Sequence, residues 1–208
     1  MTEVIRIRPT TEADIAVLVE LHRTAFAETM GVALGKSYLR HFLCWFITDA
    51  ESLSYVACVD ERIAGYVFGA PSDYSKRLNR QLAPVIAWGV VTHPQIMWRF
   101  DFSRQIFSRL RSILGYTQTN TLLEWHTKHF RLTGIGVSPA FRGRGIGQRL
   151  IDNYEKTVAD MKYQRLALSV YRSNTAAKRL YERCGWRALN PDADIVTYFK
   201  ELGLGTNS

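Results

Sequence analysis

Three glycines at alternate positions, in Arg142-Gly143-Arg144-Gly145-Ile146-Gly147, stand between an apolar run and an amphipathic one. Residues 132–137, Leu-Thr-Gly-Ile-Gly-Val, read as a strand that Ser138-Pro139 ends, and residues 148–161 read as a helix with Leu150, Ile151, Tyr154 and Val158 inward. A strand, a glycine turn and a helix start make an anion site. Glycine lacks a Cβ and lets the backbone turn its N–H groups toward one point, and the free donors of a first helical turn add about half a positive charge there. Pyrophosphate is the natural guest. A Rossmann fingerprint would need Gly or Ala where Gln148 stands, and no Walker lysine follows the turn. The turn alone leaves open whether it holds a ligand or only closes a strand–helix connection.

The elements that must position this turn belong to an ordinary folded chain. It has 208 residues, 47% of them apolar and 22% charged, which excludes disordered, collagen-like and disulfide-stapled classes. Cys44, Cys58 and Cys184 fit no Cys-x-x-Cys pattern, so neither a metal nor a disulfide framework is expected, and a reducing, cytoplasmic location is. The amino terminus carries charges where a secretory signal needs an apolar run, and the greasy stretch 82–98 is broken by Pro84, His93, Pro94 and Gln95. Neither export nor an integral membrane segment is expected. The net charge of +8 favours an anionic partner without choosing one.

Residues 4–70 read as βααββ: the alternating strand Val4-Ile5-Arg6-Ile7-Arg8, a helix that Thr11 and Asp14 cap, a helix over residues 36–48, and a hairpin turning at Asp60-Glu61-Arg62. Residues 71–130 differ, with eight Lys or Arg against three Asp or Glu, a net of 8 − 3 = +5. Trp98, Phe102, Ile106 and Leu110 recur every four residues among arginines, so this section reads as a helical, aromatic and basic insertion. One domain over residues 1–208 is expected, with the insertion inside it.

The motifs Val137-x-Pro139-x-x-Arg142-Gly143-x-Gly145-Ile146-Gly147, Leu168-Ser169-Val170, Asn174-x-x-Ala177, Leu180-Tyr181 and Cys184-Gly185-Trp186 together resemble the GNAT superfamily of acyl-CoA-dependent N-acyltransferases. The resemblance implies an α/β (α+β) fold: a mixed, mostly antiparallel central sheet with splayed strands, flanked by helices. It implies acetyl-CoA as cosubstrate and no metal. The amides of Arg142, Gly143, Arg144, Gly145, Ile146, Gly147 and Gln148 would cradle its pyrophosphate. Ile135, Gly136 and Val137 would pair through their backbone with the pantetheine arm. Asn174 would cap the next helix and reach the cofactor. Tyr181 stands where relatives place the tyrosine that protonates the departing thiolate.

The reaction implied is acetyl transfer to a primary amine by direct attack. Relatives often place a Glu near the position of Arg131, and none is present there; the candidate bases nearby are Glu124, His126 and His129, with water as the alternative. The acceptor expected is a small molecule, an amino sugar or nucleotide-linked amino sugar among them, with Tyr74, Trp88, Trp98 and Trp125 as pocket candidates. Protein amino termini or lysines, and acyl-CoA binding without chemistry, are the competing readings. No nucleic-acid motif occurs. A monomer or homodimer is expected.

Overall fold

The computed structural model describes residues 4–26, 29–92 and 129–203. Residues alternating in polarity form β1 (Ile5–Pro9), which pairs with β2 (Leu53–Val59); β2 turns into β3 (Arg62–Pro71). The hairpin turn holds Asp60 and Glu61 at φ of 47° and 62°, a pair of left-handed residues that matches the twist of the flanking strands without any glycine. With β4 (Phe130–Val137), β5 (Arg165–Tyr171), β6 (Arg187–Ala188) and β7 (Ile195–Glu201), these strands form a seven-stranded sheet in the order β1-β2-β3-β4-β5-β7-β6. Every neighbouring pair is antiparallel except β4 with β5.

The chain separates into two compact units, and the whole sheet lies in one of them. In that unit the helix Ile146–Asp160 buries Leu150, Ile151, Tyr154 and Val158 among Phe130, Leu132, Leu166, Leu168 and Tyr198. The helix Thr175–Arg183 adds Tyr181 to the same core.

The second unit is helical: α1 (Ile15–Ala25), α2 (Met30–Ala33), α3 (Gly35–Thr48) and α4 (Tyr74–Thr92). The two later helices are thus α5 (Ile146–Asp160) and α6 (Thr175–Arg183). The expected cap is present in a short 3-10 turn before α1: the Thr11 N–H donates to Asp14 Oδ2 at 2.8 Å, and its hydroxyl donates to the same oxygen at 2.9 Å. Ile15, Leu18, Leu39, Leu43, Phe46 and Leu82 are buried. Of the section 71–130 expected to be helical, α4 covers residues 74–92, while Pro71 belongs to β3 and Phe130 to β4; the basic helix around Trp98, and with it Glu124, Trp125 and His126, lies outside the described residues.

His22 on α1 stacks on Phe26 with ring centroids 4.6 Å apart, and burial lowers its pKa from 6.5 to about 4. The unfolded chain therefore takes up this proton first. The stability His22 contributes is complete above pH 6.5 and is lost as the pH falls toward 4. Between pH 7 and pH 5 the expected loss is about 2 kcal/mol, and His22→Phe is expected to remove that part of the pH dependence in urea unfolding. An identical pH dependence in the variant would contradict this assignment.

Candidate active site

Strands β4 and β5 pair at two positions only, Phe130 with Leu166 and Arg131 with Ala167. Beyond these they part. The cause lies on the other side of β4, where its register with β3 slips: Gly69 faces Leu132 and Phe68 faces Gly134, so Thr133 has no partner residue. An extra residue bends its strand and reverses the side-chain alternation that follows. Phe130 and Leu132 thus point into the core beneath α5 before the bulge, and Ile135 and Val137 pack there after it. Gly134 and Gly136 turn to the opposite face, under the stacked rings of Phe68 and Tyr66, whose centroids are 5.8 Å apart. A Cβ on Gly134 would lie 2.5 Å from Phe68 and one on Gly136 2.8 Å from Tyr66, so both positions require glycine. The Thr133 hydroxyl is buried at the bulge with no hydrogen-bond partner among the described residues.

The same register decides which backbone groups face the fork. Ser138 donates its N–H to the Ala64 carbonyl of β3 at 2.8 Å, and antiparallel residues alternate between facing the partner strand and facing away. Ile135 and Val137 therefore present their amides and carbonyls to the fork. Gly136 does not: it lies opposite Tyr66 with its backbone toward β3, which corrects the expectation that all three residues line the arm. Arg142 Nε spans back to the Val137 carbonyl at 3.3 Å.

At the mouth of the fork, residues 142–145 lead into α5. Gly143 and Gly145 hold φ of 78° and 74°, left-handed values that glycine takes without strain, and a Cβ on either would meet nothing within 4 Å. The space above the turn is open. Helix α5 starts at Ile146, two residues earlier than the sequence reading, because Gly145 itself serves as N-cap. No side chain caps it and no acidic residue lies in its first turn, so the leading amides are left for a ligand. Gly147 is set by packing instead, since a Cβ there would come 3.0 Å from Leu180 on α6. Arg144 lies over the Phe141 ring, 5.3 Å from its centroid. Uncapped leading amides of α5 above an open turn, and strand backbone left unpaired where β4 and β5 part, fit a long anionic molecule carrying amides.

Asn174 caps α6, its Oδ1 accepting from the Ala177 N–H at 3.1 Å. Tyr181, two turns further on, is 5% exposed, with Trp186 and Tyr198 at ring-centroid distances of 6.1 and 5.9 Å. Burial pushes its phenol well above the usual tyrosine range, with the neighbouring Cys184 adding to the shift. Trp186 Nε1 donates to Glu155 Oε1 at 2.7 Å, and Lys200 Nζ donates to Glu155 Oε2 at 2.5 Å and to the Cys184 carbonyl at 2.6 Å. This network ties the C-terminal end of α6 to α5 and β7, and so fixes Tyr181. No reading of the sequence alone joins these residues, because the contacts span up to 45 positions.

The described pocket candidates, Tyr74 and Trp88, belong to the helical unit. Tyr74 packs on Trp45 and Phe46 at 6.0 and 5.8 Å, inside the helical unit. Trp88 is 65% exposed and, with Leu34, Tyr38, Val85 and Thr92, lines an open depression of about 250 Å³ in that unit. Of the candidate bases only His129 is described, directly before β4, where its carbonyl accepts from the Ser72 N–H at 3.0 Å. Among the described residues no cluster of His, Cys, Asp and Glu suits a metal ion, and no helix is long and apolar enough to cross a membrane.

Residues 17–186 match the model of the Acetyltransferase (GNAT) family, and the chain belongs to that family. It is an acetyl-CoA-dependent N-acetyltransferase. Solved structures with the same fold include NAA60 of Arabidopsis thaliana in complex with acetyl-CoA, at 17% identity and a TM-score of 0.60 over 96% of this chain and 99% of that one. The PaiA N-acetyltransferase of Thermoplasma acidophilum in complex with coenzyme A is similar at 14% identity and 0.60, over 96% and 99%. The Drosophila melanogaster polyamine N-acetyltransferase, which forms N-acetylagmatine, is similar at 16% identity and 0.60, over 96% and 100%.

Proposed function

We propose that this chain moves the acetyl group of acetyl-CoA to a primary amine of a small molecule, an amino sugar or nucleotide-linked amino sugar among them, by direct attack, in the cytoplasm and as one domain. The observation that carries the reading is the fork: two paired positions and then separation, beside a helix start with free amides. In this reading the amides of residues 143–148 hold the pyrophosphate; that of Arg142, expected among them, already donates to the Pro139 carbonyl at 3.4 Å. The backbone of Ile135 and Val137 pairs with the pantetheine amides as an added strand would.

The thioester then lies along β4, where strand amides polarise its carbonyl and hold it in line with the amine. Positioning of this kind lowers a barrier by about 7 to 11 kcal/mol. Tyr181 donates its proton to the departing sulfur. Its buried phenol stays protonated through the working pH range, and the burial that disfavours a phenolate equally disfavours a bare thiolate. The amine's own proton passes to water or to one of Glu124, His126 and His129. Free cysteines at Cys44, Cys58 and Cys184 suit a reducing compartment.

The test is release of free thiol from acetyl-CoA across a panel of amino sugars, nucleotide-linked amino sugars, agmatine and lysine peptides. Turnover confined to the small amines is expected. Turnover confined to peptides would replace the acceptor, and tight coenzyme A binding with no transfer to any amine would reduce the chain to a binding module.

A further inference from the structure

Arg131 is the last residue of β4 paired with β5, at the point where the two strands part. Phe130 and Leu132 on either side of it point into the core under α5, so its side chain lies on the opposite face of the sheet. There its Nη2 donates to Ser169 Oγ on β5 at 3.0 Å, across the base of the fork. A guanidinium has five N–H donors in a planar fork, and a single hydroxyl leaves most of them unused.

The other basic side chains of β4, β5 and β7 each have a carboxylate: Arg165 pairs with Glu201 at 3.7 Å and Lys200 with Glu155 at 2.5 Å. Arg131 pairs with none among the described residues. The positions beside it on its own face of the sheet are Ala70, Ala167, Ser169, Thr197 and Phe199, none of them acidic. The α5 face of the fork is filled by Leu132, Ile135, Val137 and Leu168, so an amine reaching a thioester in the fork approaches from the face that carries Arg131.

We infer that Arg131, its guanidinium oriented by Ser169, binds an anionic group of the acceptor, which makes amines bearing a carboxylate or phosphate the preferred substrate class. The inference rests on the acetyl-transfer reading above and deepens it. Arginine meets carboxylate and phosphate alike through two parallel N–H donors, so the acid itself must be identified by experiment.

The experiment compares propylamine with β-alanine, and glucosamine with glucosamine 6-phosphate, as acceptors for the wild type, Arg131→Gln, Arg131→Lys and Ser169→Ala. Both turnover and calorimetric binding of each amine to the coenzyme A-loaded protein are measured. The wild type is expected to favour the acid-bearing member of at least one pair by about 10- to 100-fold, chiefly through KM. The carboxylate pair and the phosphate pair separate the two sources of charge. Arg131→Gln is expected to abolish the preference, Arg131→Lys to keep part of it, and Ser169→Ala to fall between. Heat of coenzyme A binding is recorded for every variant, so a preference lost while that heat persists belongs to Arg131 and not to a failed fold. No preference in either pair, or a preference that survives Arg131→Gln, would overturn the inference. A wild type that fails to bind coenzyme A would instead overturn the reading beneath it.

Discussion

Tyr181→Phe is expected to lower kcat about a thousandfold while leaving coenzyme A affinity within a few-fold of the wild type, the size of effect a positioned general acid has. The substitution removes one hydroxyl and keeps the ring that packs on Trp186 and Tyr198. Among the described residues that hydroxyl has no hydrogen-bond partner, so its loss breaks no internal bond and the fold should persist. The burial that raises the Tyr181 pKa also predicts the form of the pH profile: wild-type kcat should show no alkaline limb from this group below pH 10, because it does not ionise there. Less basic amines leave the expulsion of sulfur as the harder half of the reaction, so the loss should be largest for those members of the acceptor panel. A variant with wild-type kcat would return Tyr181 to the role of a core aromatic.

Gly69→Ala is expected to destabilise the sheet unit by about 3 to 5 kcal/mol, enough to lower its melting midpoint by about 8 to 16 °C. A Cβ at this position would stand 1.9 Å from the Tyr154 hydroxyl and 2.1 Å from the Arg131 carbonyl oxygen. Those two atoms are themselves hydrogen-bonded, Tyr154 donating to Arg131 at 2.9 Å, so the methyl group would split a bond that links α5 to β4 beside the bulge. The side chain can rotate away at the cost of leaving a buried acceptor unpaired; the carbonyl cannot move without breaking the β3–β4 ladder. Tyr154→Phe in the Gly69→Ala background should therefore restore only part of the lost stability. Full rescue, or a midpoint within 2 °C of the wild type for Gly69→Ala alone, would show that the bulge is softer than its geometry implies.

The parts of this molecule that were legible in the sequence are those governed by local chemistry. Alternating glycines reported a turn that needs left-handed backbone, and Gly143 and Gly145 adopt it. Thr11 and Asp14 reported a cap, and Asn174 another. What stayed hidden depends on residues that meet only after the strands are ordered. Gly134 and Gly136 look like ordinary members of a strand until Phe68 and Tyr66, far back in the chain, lie over them. The bulge at Thr133 leaves no local mark, since a slipped register is a property of two strands and not of one. Arg131 and Ser169, 38 positions apart, become neighbours because β5 lies beside β4 in the sheet. The start of α5 moved two residues because Gly145 stands as N-cap in left-handed backbone, where the sequence reading expected the glycines only in the turn.

Calorimetric titration of coenzyme A into the wild type and into Gly145→Val bears most directly on the central claim. Valine is strained at a φ of 74°, and its side chain would fill the open space above the turn. The prediction is heat from one coenzyme A per wild-type chain and affinity at least tenfold weaker in the variant, because the amides there can no longer converge on a diphosphate. No heat in the wild type, or equal affinity in the two proteins, would contradict it.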